Sequence, residues 1–281
     1  ASVAAMVKAN VPDAVLVPAG DGRPAQPPAR LPGLRYDCVQ LPGGQAWSVG
    51  RSGPADAPAV LLVHGLGQSA HTDWAGTALD LAPDHQLLAV DLPGFGASPP
   101  LTREALTFAT LADQLAEVLT RVVPGRRVHV VGHSLGGALS LALAHRHPEL
   151  VERLVMVDAA GILLKPVFMQ HMAAPKAPAT GFAPLDGLLA TVVDRLHDLS
   201  SLILLGSDDR FDLVPWLARN PDVRRALLGG LVQADTALGL AEHDFSAAIR
   251  ATQASTTLIW GDADRVAPLR TGQALAARLP R

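Results

Sequence analysis

A single cysteine, Cys38, is all that the 281 residues contain, so no intrachain disulfide can form and nothing points to an oxidising compartment. Cys38 lies in the alternating run LRYDCVQL with no motif around it, and reads as a strand residue rather than a reactive thiol. No apolar stretch reaches the roughly 20 residues of a membrane span. A basic excess is missing too: the net charge is −3, which gives no electrostatic case for nucleic acid. Lysine is scarce, 3 against 20 arginines, and in so alanine-rich a chain this reads as codon bias. The start, ASVAAMVKANV, lacks the basic-then-apolar layout of an intact export signal. A cytoplasmic protein is expected on that basis, and a signal already removed would leave the same start. Finally, no histidine follows Asp264.

What is present is globular: 49 % hydrophobic and 17 % charged residues, in a chain long enough to bury a large core. Residues 1–33, rich in Pro, Ala and Gly, read as a lead-in arm. LRYDCVQL, a Pro-Gly-Gly turn and QAWSVG read as a β-hairpin. Strand-like and helix-like segments then alternate: AVLLVHG, HTDWAGTALDLA, QLLAVDL, EALTFATLADQLAEVLTRVV, RRVHVVG, SLGGALSLALAHRH and VERLVMVDAAG. That alternation predicts a mostly parallel, doubly wound α/β sheet. Its strands are continuous apolar runs, as expected when helices cover both faces. The rhythm breaks near Ile162 and resumes with TTLIWGD. The Leu-rich helical pieces between, residues 162–248, predict a helical cap inserted into a core of residues 34–161 and 249–281. Such a cap would lie over the C-terminal edge of the sheet, where open α/β sheets take their ligands.

The motif with chemical content is Gly132-His133-Ser134-Leu135-Gly136, or G-x-S-x-G, set between a predicted strand and a predicted helix. A turn this tight strains Ser134, and glycines on both sides remove the Cβ atoms that would clash. The hydroxyl is thereby raised at the sheet edge above a helix N-terminus. Attack by a serine creates an oxyanion, which needs fixed donors. The Leu135 N–H is one, and the loop His64-Gly65-Leu66-Gly67 supplies the other, with the Leu66 N–H as candidate.

Together with DLPGFGAS (residues 91–98), and with Gly261-Asp262-Ala263-Asp264 and Pro268, these motifs resemble the α/β-hydrolase superfamily, its capped esterase and lipase-like branch in particular. The resemblance covers roughly residues 34–281. It implies Ser134 as nucleophile and Asp264 as the acid, with Asp262 and then Asp158 as alternatives, and His64, Gly65, Gly67, Gly132, His133 and Gly136 as supports. It also implies a histidine base after one more helix and one more strand. The helix is there and the chain ends, so a longer natural protein carrying that strand and histidine is expected. Of the histidines present, His145 and His147 lie at the far end of the helix that Ser134 opens, while His71 and His243 could approach the site. The implied activity is hydrolysis of a carboxylic ester, of apolar character if the Leu- and Met-rich cap binds it, with no metal or organic cofactor. A serine nucleophile excludes the branches that attack with Asp. The HGLG loop lacks the Gly-Pro-Gly type of sequence associated with proline iminopeptidases and C–C bond hydrolases, which lowers both.

Two readings compete. Gly65-x-Gly67-x-x-Ala70 with Asp91 beyond it matches a dinucleotide fingerprint and its ribose-binding acid, but leaves the G-x-S-x-G motif and Asp264 unexplained. A non-catalytic binding module on the same fold would account for the missing histidine, but gives no reason for an intact oxyanion loop.

Overall fold

The structure is a computed structural model that describes residues 30–66, 69–102, 104–163, 235–236, 239–240, 242–264 and 266–280. Its elements are β1 (Arg35–Gln40), β2 (Ala46–Ser52), β3 (Ala59–Val63), α1 (Ala70–Leu81), β4 (Gln86–Val90), α2 (Phe108–Val122), β5 (Val128–His133), α3 (Leu135–Arg146), β6 (Val151–Val157), α4 (Ser246–Ala251), β7 (Ser255–Ile259) and α5 (Leu269–Ala276). Seven strands form one sheet in the order β1-β2-β4-β3-β5-β6-β7. β1 pairs antiparallel with β2, and β2 with β4, while every pairing from β4 across to β7 is parallel. The predicted hairpin and doubly wound sheet are therefore both found. α2 begins at Phe108, four residues after the Glu104 that opens the expected helix, because the Thr107 hydroxyl caps the Thr110 N–H at 3.1 Å.

Alternation along β3 and β4 divides the core. Leu61, Val63, Leu88 and Val90 face α2 and α3 in the main cluster. Val60, Leu62, Leu87 and Ala89 face the other way, onto Ala70, Trp74 and Ala78 of α1. Leu31, within the expected arm, is buried in this second cluster, and its N–H donates to the Tyr36 hydroxyl. Both faces are covered over β3 and β4 as expected, but not over β5–β7. There Val131, Val155 and Val157 are half-exposed and Ile259 is 52 % exposed, since among the described residues α1 packs mainly on β3 and β4 and reaches β5 chiefly at His133. The predicted cap falls almost wholly outside the described residues. No described helix is long and apolar enough to cross a membrane.

Candidate active site

β5 ends at His133 and α3 begins at Leu135, so Ser134 alone makes the turn. Its backbone adopts φ 51° and ψ −117°, outside the regions a side chain prefers. The surroundings fix this conformation. The Ser134 N–H donates to Val157 O at the end of β6 (2.9 Å), and Ser134 O accepts from the Gly137 N–H (3.0 Å). A Cβ on Gly132 would strike Gly136 O and Ser140 Oγ, and one on Gly136 would strike the carbonyls of Val63 and His64. Gly136→Ala is accordingly expected to cost about 3 kcal/mol, because backbone on a neighbouring strand cannot step aside. Urea denaturation of the variant against the parent chain measures this.

The HGLG loop lies against that turn, for a Cβ on Gly65 would come within 3.0 Å of the Ser134 Cβ. His64 is fully buried. Its Nε2 accepts from the Leu92 N–H (3.0 Å), so Nδ1 carries the proton and donates to Gly65 O (2.7 Å). Because the peptide is planar and trans, pinning Gly65 O sets the opposite direction for the Leu66 N–H. Gly67 lies outside the described residues. The Leu135 N–H heads α3, where a helix has no internal acceptor to offer.

Sequence reasoning missed Asp73, in the first turn of α1. Its Oδ2 accepts both the Gly65 N–H (2.7 Å) and His133 Nδ1–H (2.8 Å). The only signal was an Asp soon after the HGLG loop, which also reads as an ordinary residue of a helix first turn.

Asp91, the ribose-binding acid of the dinucleotide reading, is buried, and Oδ1 and Oδ2 accept from the N–H groups of Ala70 (3.0 Å) and Ala97 (3.1 Å). It fastens the start of α1 to the 91–98 loop and has no carboxylate edge turned to a ligand.

The acids sit at the ends of β6 and β7. Asp264 Oδ1 accepts from the N–H groups of Val266 (2.7 Å) and Ala267 (3.0 Å), which aims the carboxylate. Asp158 has φ 45°, and its Oδ1 accepts from the Gly261 N–H (2.8 Å). Asp262 is exposed on the intervening turn. His71 is half-buried in α1, and His243 packs against Phe108 and edge-on against Phe245, with ring centroids 5.4 and 4.5 Å away. His147 and Arg146 bind Asp113 on the surface. Among the described residues no group of three or more His, Cys, Asp or Glu side chains is placed to hold a metal ion.

These charges set the protonation of the site. The hydrogen bond to Asp73 raises the His133 pKa; burial opposes it, and the charges of Asp73, Asp158 and Asp264 add to it. Burial works against the Asp73 charge, but the bonds from His133 and the Gly65 N–H outweigh it and hold that carboxyl below the usual range. Burial lowers His64. The His133 contribution is complete below the unfolded value of about 6.5 and is lost as pH rises through its higher folded value. That of Asp73 is complete above about 3.9 and is lost as pH falls through its lower folded value. His64 behaves oppositely to His133: native stability falls as pH drops below about 6.5. In a proton NMR titration His133 is expected to turn over above about 6.5 and His64 below it. A His133 midpoint at or below the ordinary value would contradict the pairing.

A groove of about 520 Å³ opens between α1 (Thr72, Trp74, Thr77) and β5–β7 (Val131, Val157, Ile259). His133 borders it, but Ser134 does not line it, so it is not the place where a group attacked by Ser134 would rest.

The sequence has counterparts among known proteins. The chain spans about a third of the length of the first curated relatives it matches, among them an uncharacterized protein of Mycobacterium tuberculosis, 37 % identical over 118 residues, 42 % of this chain and 33 % of that one. A pimeloyl-[acyl-carrier protein] methyl ester esterase of Aeromonas hydrophila is 30 % identical over 232 residues, 79 % of this chain and 84 % of the esterase. A 2-hydroxymuconate semialdehyde hydrolase of Pseudomonas sp. (strain CF600) is 30 % identical over 229 residues, 77 % of this chain and 74 % of the hydrolase. The model of the alpha/beta hydrolase fold matches residues 58–281, from the lead into β3 through the turn at Ser134 to the segment beyond β7, and the chain belongs to that family.

Proposed function

We propose that this chain carries the core of a serine hydrolase that cleaves a carboxylic ester through an acyl-enzyme. The observation that carries the reading is Ser134 at φ 51° between β5 and α3, facing a loop whose Leu66 N–H is oriented by a pinned neighbouring carbonyl. Ser134 Oγ attacks the ester carbonyl and forms a C–O bond, while its proton passes to a histidine base that Asp264 orients. The N–H groups of Leu66 and Leu135 hold the oxyanion. The C–O bond to the alcohol then breaks, the alcohol leaves with the proton, and water repeats the sequence on the acyl-enzyme. The base is not assigned to a described residue, since His64 and His133 are engaged as structural supports and His243 stands in an aromatic cluster. The similarity to a methyl ester esterase over most of both chains supports ester cleavage. A small apolar ester is the proposed substrate class, from the composition of residues 162–248.

The test is intact mass spectrometry after treatment with a fluorophosphonate. Ester cleavage by this chain requires one adduct per chain, mapped to Ser134, because a serine reacts quickly with such a probe only when a base activates it. A folded chain that stays unlabelled would refute an active serine within these residues.

The 30 % identity to a 2-hydroxymuconate semialdehyde hydrolase favours a second reading, hydrolysis of a carbon–carbon bond at an activated ketone. It uses the same nucleophile and oxyanion donors. Offering the chain 2-hydroxymuconate semialdehyde beside a p-nitrophenyl ester separates the two readings by which is turned over.

A further inference from the structure

We propose that Asp73 is a positioning residue that ties the loop bearing the Leu66 N–H to the turn bearing Ser134. This role rests on the serine-hydrolase reading for its consequence, though the tie itself does not. A single carboxylate oxygen accepts the Gly65 N–H at 2.7 Å and His133 Nδ1–H at 2.8 Å. Gly65 immediately precedes Leu66, and His133 immediately precedes Ser134. Asp73 itself belongs to a third element, α1, so its oxygen joins three segments that the sequence keeps apart.

The need for such a tie follows from Gly65. A side chain there would press on the Ser134 Cβ, 3.0 Å away, so the loop can approach the turn only with glycine. Glycine leaves φ and ψ poorly determined. The two peptide planes that flank Gly65 are each held by a side chain, the N–H side by Asp73 and the C=O side by His64. With both planes fixed, the Leu66 N–H has one direction relative to Ser134. The Asp73 side chain is only 10 % exposed, so water competes weakly for its bonds. An oxyanion donor is useful only if preorganised to within a few tenths of an ångström, and Asp73 sets that distance from outside the reacting atoms.

Three variants of the full 281-residue chain test the assignment. Asp73→Ala removes both bonds, Asp73→Asn keeps an acceptor without the charge, and His133→Ala cuts only the arm to the turn. Amide hydrogen exchange by NMR reads the tie directly. In Asp73→Ala the Gly65 amide is expected to exchange at least about ten-fold faster, with the Ser134 and Leu135 resonances displaced. In His133→Ala the Gly65 amide keeps its protection. Fluorophosphonate labelling reads the consequence. Its rate is expected to fall about 10- to 100-fold in Asp73→Ala, less in Asp73→Asn, and no further in the Asp73→Ala/His133→Ala double variant than in Asp73→Ala. Unchanged exchange at Gly65, or an unchanged labelling rate in a variant with faster exchange, would overturn the proposal. If the parent chain does not label at all, an active serine within these residues is refuted, and exchange at Gly65 with the response of Ser134 and Leu135 still decides whether Asp73 makes the tie. Should Asp73→Ala not fold, Asp73→Asn and His133→Ala carry both measurements.

Discussion

Ser134→Ala is expected to leave the chain without a fluorophosphonate adduct and to reduce hydrolysis of a short-chain p-nitrophenyl ester by on the order of 10⁴-fold or more. The size of the effect follows from the loss of the attacking atom itself, for which neither oxyanion donor compensates. Alanine keeps the Cβ that the turn already accommodates, and it inherits the same φ of 51° without new strain relative to serine. The thermal midpoint is therefore expected to stay within a few degrees of the parent. That separation matters, because loss of labelling with loss of fold would say nothing about chemistry. An adduct persisting on another residue of the variant would move the nucleophile away from the β5–α3 turn.

Asp264→Asn is expected to cost roughly 10³- to 10⁴-fold in turnover. The Asn carbonyl oxygen can still accept from the Val266 and Ala267 N–H groups that now bind Oδ1, so the loop keeps its shape. What disappears is the negative charge that would hold a histidine in the correct tautomer and stabilise its protonated form. Asp262→Asn, on an exposed turn position, is expected to change turnover less than about 3-fold. Asp158→Asn is the sharper control. Its Oδ1 accepts the Gly261 N–H, so this variant also keeps its bond while losing its charge. Should Asp158→Asn prove the more damaging of the two, the acid belongs to the end of β6 and the assignment to β7 is wrong.

The alternation of apolar runs with amphipathic segments was enough to place the parallel strands β3 to β7, because the crossovers between parallel strands must be helices, while the antiparallel β1 and β2 were legible from the Pro-Gly-Gly turn between them. The turn at Ser134 was legible for a similar reason, since glycines at 132 and 136 sit where neighbouring backbone leaves no room for a Cβ. Asp73 was not legible. An acid in a helix first turn is common for reasons of the helix dipole alone, and only the fold brings Gly65 N–H and His133 to the same oxygen. The part played by Asp91 was misread in the dinucleotide reading because a strand-ending Asp looks alike whether it meets a ribose or, as here, two backbone amides. Open coverage over β5–β7 among the described residues was also unexpected, as an apolar strand in the sequence does not say whether a second helix reaches it.

The ladder of bonds at the sheet edge bears on the order of assembly. The Ser134 N–H reaches the last residue of β6, and the Asp158 N–H reaches Ile259, the last residue of β7. The serine thus obtains its conformation from a strand that follows it, and that strand's end is fastened by one drawn from a hundred residues further along the chain. Parallel pairings of such separation are slow to form, since loop closure must precede any gain in contacts. On the proposed serine-hydrolase reading, a newly synthesised or refolding chain would then carry an ordinary, unreactive hydroxyl until β6 and β7 have docked. Time-resolved probe labelling during refolding would read Ser134 as a clock for completion of the sheet rather than for the collapse that precedes it.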